Sequence, residues 1–306
     1  MRRYAIRRII QTVPVVAIVS VVVFAVIRLV PGDPAISMAG ADATPETIAA
    51  IRESLGLDRP VWAQYLAWLG DVLRGQFGSS LLSNQPVLAL ILPSAQATLY
   101  LTAFAMAVAL ALGILFGMLA GVFHGRLGDR IISGFSMLSV SMPPYWVGLL
   151  LVLAFSVKLG WFPSAGNQAW GSLVLPATAL ILGQSAMLTR LVRSSIINIL
   201  AQDYIRTAKH KGLSQARILL RHALPNSLGI ILTFAGVQLG HLLAGAVVVE
   251  VVFSWPGMGR LAVNALIAKD LPVVQACILL FTVTVLAVNL TADLLHAAID
   301  PRVAYE

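Results

Sequence analysis

The chain has 306 residues, of which 58% are hydrophobic and 11% charged, with a mean hydropathy of +0.88. A chain of this size and apolarity cannot keep its surface in water, so lipid is its solvent and a soluble enzyme or binding domain is excluded. The net charge of +8 is a loop bias with no nucleic-acid meaning.

Crossing a hydrocarbon core of about 30 Å takes roughly 20 apolar residues in a helix. In chain order the sequence offers six such stretches: Ile9–Val30, Ala97–Phe123, Ile131–Val157, Leu173–Leu191, Leu228–Val252 and Val273–Leu295. They read as helices, because open strands leave backbone groups unsatisfied in lipid. The fold class is therefore an all-α integral membrane protein with six transmembrane helices. The first span follows Arg2, Arg3, Arg7 and Arg8 and is longer than a signal-peptide core, so it is read as an uncleaved span.

Fourteen of the 21 basic residues fall in the segments on one side of these spans and seven on the other. The positive-inside rule then puts both termini in the cytoplasm, together with the segment around Asp203. The division is 1–30 for the N-terminal end and first span, 31–95 for an extracytoplasmic helical cap, 96–299 for a five-helix core that includes a cytoplasmic loop at 200–226, and 300–306 for a cytoplasmic tail.

Within the cap, Pro31-Gly32-Asp33-Pro34 stops the first helix. Thr44-Pro45-Glu46 starts a short helix that Gly56 ends, and Pro60 opens another. Trp62, Tyr65 and Trp68 either seat that helix at the headgroups or pack on a neighbouring element. Gly113, Gly117 and Gly121 recur every four residues in the second span, a spacing that lets two helices touch closely. Pro143 and Pro144 break the third span, either shaping a pathway or simply bending the helix. After Ser254-Trp255-Pro256-Gly257-Met258-Gly259 a short helix is expected over Arg260–Ala268. The single cysteine, Cys277, sits in an apolar span, and one cysteine makes no intrachain disulfide.

Polar groups inside spans are expensive and tend to face a cavity or a partner. Gln238, His241 and Asn289 are candidates for a substrate pathway or gate, with hydrogen bonding to a neighbouring helix as the other reading. Glu250 either lies on the gate or pairs with an outside cation. Asp293, one turn beyond Asn289, is assigned to the inner interface, near Arg302.

The segment Asp203–Asn226 is a charged block between two spans. It carries Arg206, Lys209, Lys211, Arg217 and Arg221. A helix from Leu200 to Lys211 ends at Gly212, Ser214 caps a second one, and Pro225 and Asn226 are expected to end it. Composition alone fits either a helix resting on anionic lipid or a docking element.

The order of residues resembles the cytoplasmic loop of ABC importer permeases, in the variant of the peptide/nickel-type subfamily. Asp203-Tyr204-Ile205-Arg206-Thr207-Ala208, Lys211-Gly212 and Leu224-Pro225 carry that resemblance. Leu55-Gly56-Leu57-Asp58, Phe77-Gly78-Ser79-Ser80, Glu250 through Gly259 and Asp300-Pro301-Arg302 extend it along nearly the whole chain. The generic loop has Glu where Arg206 stands and Ile where His222 stands.

The resemblance implies a type I ABC importer core and a bacterial inner-membrane location. The chain would form half of the translocation pathway for short peptides or glutathione. Its implied partners are a second homologous permease, one or two ATPase subunits and an extracytoplasmic substrate-binding protein. Tyr204, Arg206, Thr207, Ala208, Lys211, Gly212, Leu213 and Pro225 would make the ATPase-coupling surface. The chain has no Gly-Lys pair and hence no phosphate-binding loop, so ATP and Mg²⁺ would bind the partner. Neither a catalytic residue nor a metal site is expected; the five histidines are widely spaced. The alternative reading is an ion- or proton-coupled secondary transporter, although the chain shows no clear repeat.

Overall fold

The computed structural model describes residues 2–29, 44–54, 56 and 58–299. Among these the protein is helical throughout, with one isolated antiparallel bridge between Ser79 and Pro86. Pro31-Gly32-Asp33-Pro34 and the tail 300–306 lie outside the described residues, as do the side chains of Asp293 and Arg302.

Helix α1 is Arg2–Leu29. The segment after α1 holds α2 (Pro45–Ser54) and α3 (Val61–Leu73). Thr44 Oγ1 accepts the N–H of Thr47 at 3.3 Å, and Gly56 follows α2 with φ +61°, so start and stop fall where the turn chemistry put them. Tyr65 and Trp68 pack on Phe24 of α1, with ring centroids 5.4 and 5.7 Å apart, and Tyr65 Oη hydrogen bonds Ser20 Oγ at 2.8 Å. Two of the three aromatic residues of α3 thus tie it to α1, whereas Trp62 is exposed.

Helix α4 is Val87–Val122 and starts ten residues before the span expected from hydropathy. Pro86 opens it, and Pro93 is carried inside its N-terminal part. Helix α5 (Leu127–Ser141) meets α6 (Pro144–Leu151) at a bend of 104°; α6 continues as a π-helical stretch, Val152–Lys158. The break falls at Met142-Pro143, where the residue before each proline is held extended.

Helix α7 is Val174–Leu200. It lies along α4, and the glycine stripe is the reason it can. A Cβ on Gly113, Gly117 or Gly121 would come within 2.7, 2.6 and 2.7 Å of Leu188, Val192 and Ile196 respectively. Three residues without side chains let three branched ones of α7 reach the backbone of α4.

Helix α8 (Asp203–His210) and α9 (Gln215–Ile218) form the loop after α7. A π turn over Leu219–Ala223 joins α9 to α10 (Leu224–Val252). Pro225 therefore does not end a helix, as the sequence suggests. It sits in the first turn of α10, where a missing N–H is tolerated, and helix runs unbroken from Gln215 to Val252. Helix α11 is Met258–Ile267 and α12 is Leu271–Ile299.

Among the described residues four helical runs are long and apolar enough to cross a membrane: Val87–Val122, Val174–Leu200, Gln215–Val252 and Leu271–Ala292. The bent α5/α6 pair makes a fifth if it counts as one span. Helix α1 contributes a shorter apolar stretch, Ile10–Ala25, so the expected six are not all reached by length and hydropathy. The largest core cluster joins α4, α6, α7 and α10 through Leu101, Val147, Leu180, Val249, Phe253 and Trp255.

Candidate functional site

The loop from Leu200 to Leu224 projects from two long helices, α7 and α10. In α8 only Ile205 is buried, and it anchors the helix. Tyr204, Arg206, Thr207, Lys211, Gly212 and Pro225 are exposed, and Ala208 and Leu213 half-buried. All eight residues expected at the coupling surface are thus accessible, while Ile205, Ile218 and Ala223 are turned inward.

The turn chemistry explains the shape. Lys211 ends α8, its N–H returning to the carbonyl of Thr207 at 3.0 Å. Gly212 follows with φ +76°, in the left-handed region that costs other residues about 1 kcal/mol or more. Ser214 Oγ then accepts the N–H of Arg217 at 3.4 Å and caps α9. Asn226 Nδ2 donates to Tyr204 Oη at 3.4 Å and to the carbonyl of His222 at 2.6 Å, tying α8 back to the base of α10.

Beneath this loop the faces of α5, α7 and α10 line two adjoining open clefts. One, of about 740 Å³, is lined by Ser133, Met187, Arg190, Arg193, Ser194 and Gln238, among others. The second, of about 660 Å³, shares Leu191, Phe234 and Gln238 and adds Asn226 and Thr233. Gln238 Nε2 donates to Met187 Sδ at 3.3 Å, a weak acceptor that other groups can replace.

His241 and Asn289 lie together elsewhere, in a cavity of about 450 Å³ between α1, α10 and α12 that Arg8, Gln11 and Thr12 also line. Asn289 packs on Gly240, and its Oδ1 is buried without a hydrogen-bond partner among the described residues. The structure therefore splits Gln238 from the His241–Asn289 pair, although the sequence groups all three as pathway candidates. Pro143 and Pro144 are exposed at the α5/α6 break.

Glu250 is fully buried, and among the described residues no cation pairs with it, contrary to the ion-pair reading. The Thr98 hydroxyl donates to Glu250 Oε1 at 2.6 Å, and the N–H groups of Gly259 and Arg260 donate to Oε2 at 2.8 and 3.2 Å. Thr98 Oγ1 in turn accepts the N–H of Met258 at 2.8 Å, and Trp255 Nε1 donates to the carbonyl of Ala97 at 3.0 Å. The carboxylate caps the N-terminus of α11 from another helix, where the helix dipole favours negative charge.

A pair that the sequence does not announce is Asp129 with Arg193. Asp129 is buried at the start of α5 and receives Arg193 Nε at 2.5 Å and Nη2 at 2.8 Å. The Gly125 N–H (2.9 Å) and the Ser133 hydroxyl (3.1 Å) complete its shell, and His124 Nδ1 lies 3.3 Å away. Hydropathy ends the fourth span at Leu191, which puts Arg193 in a cytoplasmic loop. The helix continues to Leu200 and carries Arg193 on its face. Among the described residues no group of three His, Cys, Asp or Glu side chains could hold a metal ion.

Residues 113–305 match the family described as "Binding-protein-dependent transport system inner membrane component", and residues 1–102 match the N-terminal component described for the same systems. The glutathione transport system permease proteins GsiC of Escherichia coli (strain K12) and Salmonella typhi are each 39% identical over 306 residues, covering all of both chains. A chain of the MetNI methionine ABC transporter in an inward-facing conformation superposes with a TM-score of 0.60 at 19% identity, over 70% of this chain and 97% of that one. An amino acid ABC transporter crystallised with histidines gives 0.53 at 19%, over 69% and 94%. At such identities the solved structures speak for the fold. The family matches and the full-length relatives together place this chain in the family of binding-protein-dependent transport system inner membrane components.

Proposed function

We propose that the chain is one permease subunit of an ATP-driven importer and forms half of its translocation pathway. The observation that carries the reading is the α8–Gly212–α9 loop. It holds an exposed, basic, tightly turned element between the ends of two membrane-length helices. Such an element passes the movement of a soluble partner into the membrane. The chain has no phosphate-binding loop, so the nucleotide belongs to that partner.

On this reading six spans cross the inner membrane: α1, α4, the bent α5/α6 pair, α7, α10 and α12. Both termini and the α8–α9 loop face the cytoplasm. A second permease subunit closes the pathway, ATPase subunits grip the loop at Tyr204, Arg206, Thr207, Ala208, Lys211, Gly212 and Leu213, and a binding protein delivers cargo from outside. The glutathione permeases among the relatives support a short peptide or glutathione as cargo. Gln238, and separately His241 with Asn289, are the polar groups we place along the pathway or its gate.

The test is ATPase activity and uptake of the purified assembly in lipid, for the wild type and Gly212→Arg. Loss of substrate-stimulated hydrolysis, with membrane insertion intact, supports the reading. Uptake that continues without any co-purifying ATPase and stops when a proton gradient collapses would turn the assignment to a secondary transporter.

A further inference from the structure

Two arginines one turn apart on α7 line the cavity between α5, α7 and α10, and only one of them is balanced. Arg193 is held by Asp129 through both Nε and Nη2. Arg190 is exposed on the same wall, and among the described residues no carboxylate stands within ion-pair distance of it. The other groups lining this cavity and its neighbour are uncharged. Together the two cavities therefore carry one uncompensated positive charge. Arg190 shares the polar end of α7 with Arg193, Ser194 and Asn198, and a cleft with low-dielectric walls focuses the field of an unpaired cation.

The chemistry that satisfies a guanidinium best is a carboxylate or phosphate bound through two parallel N–H groups. We propose that Arg190 is the carboxylate-receiving group of the pathway, holding an acidic group of the transported peptide while the Gln238 amide leaves Met187 Sδ to hydrogen bond the peptide backbone. This rests on the permease reading. It adds that the membrane subunit itself selects anionic cargo, apart from any selection by a binding protein. A lipid phosphate is the competing anion, since a long arginine side chain can reach a headgroup.

The test uses the assembled transporter in phosphatidylcholine nanodiscs with Ser194→Cys as reporter on the same wall. Cys277, the one native cysteine, is buried and stays silent. Modification of residue 194 by an anionic and a cationic methanethiosulfonate is followed by peptide mass, relative to a free small thiol. With Arg190 present the anionic reagent is favoured roughly tenfold; Arg190→Gln abolishes the preference and Arg190→Lys keeps most of it. S-methylglutathione slows the anionic reagent, and its diamide does not.

An equal ratio with Arg190 in place and in the Arg190→Gln variant overturns the proposal. So does protection by short-chain phosphatidylglycerol alone, which makes the site a lipid site, or by neither anion. Failure of the importer reading shows separately, as absence of a co-purifying ATPase, because the modification ratio needs no turnover.

Discussion

The carboxylate of Glu250 fills the space in which a side chain at residue 257 would stand: a Cβ on Gly257 would lie 2.2 Å from the Glu250 carboxyl carbon. The turn Trp255-Pro256-Gly257 closes over the acid, which then receives N–H groups from the first turn of α11. We expect Gly257→Ala to cost about 1–3 kcal/mol through overpacking. Glu250→Ala should cost at least as much, because it strands buried N–H groups and the Thr98 hydroxyl. Thermal unfolding of the purified protein, followed by the near-ultraviolet circular dichroism of its six tryptophans, measures both. Unchanged midpoints would remove the acid from its capping role.

The glycine seam yields a second prediction. Gly117→Ala puts a methyl group 2.6 Å from Val192 Cβ and 2.9 Å from the Thr189 carbonyl oxygen, so α4 and α7 must separate. A loss of about 1–3 kcal/mol is expected. Val192→Ala in the same protein should rescue it only in part, because it removes Cγ1, 2.8 Å away, but keeps the Cβ and the Thr189 carbonyl oxygen. Full rescue would show that the helices do not touch as described.

Removing one partner of the Asp129–Arg193 pair should be worse than removing both. Arg193→Met leaves a buried carboxylate with no cation and is expected to cost about 3–5 kcal/mol, whereas Asp129→Asn with Arg193→Met should recover much of that. Detergent-solubilised yield and unfolding midpoint of the two single variants and the double variant form a double-mutant cycle. Strict additivity would mean that the two groups act independently.

At Gly212 the backbone, with φ +76°, decides which substitutions survive. No other group lies within 4 Å of where a Cβ would be, so strain and not crowding is the obstacle. Gly212→Asn, which tolerates the left-handed region, should keep most coupled ATPase activity, and Gly212→Val should lose it. Equal activities in the two variants would show that the turn geometry is irrelevant to docking.

Much of this is legible in the sequence because lipid leaves a chain few options. Hydropathy locates every long helix, and Thr44, Gly56, Gly212 and Ser214 mark real starts and stops, since caps depend on neighbouring residues alone. The four-residue glycine spacing points to a close helix contact for the same reason, and the structure supplies α7 as the partner. What local rules miss is tertiary. Pro225 looks like a terminator because nothing in the sequence announces the π turn ahead of it. Arg193 looks like a loop residue because hydropathy falls at Leu191, although Asp129, 64 positions earlier, makes a charged helix face tolerable. Glu250 reads as a gate or an ion pair. Its partners are two backbone N–H groups and the hydroxyl of Thr98, 152 positions earlier, which no local pattern reveals.

The unbroken helix from Gln215 to Val252 gives the molecule a mechanical property. With 38 residues it is a rod of about 57 Å at 1.5 Å per residue. If it pivots near its Gln215 end, each degree of tilt moves the far end by about 1 Å over that length. Glu250, two residues from that end, fastens α11 to the moving tip. A small nudge at one side of the bilayer would thus be magnified into a stroke at the other.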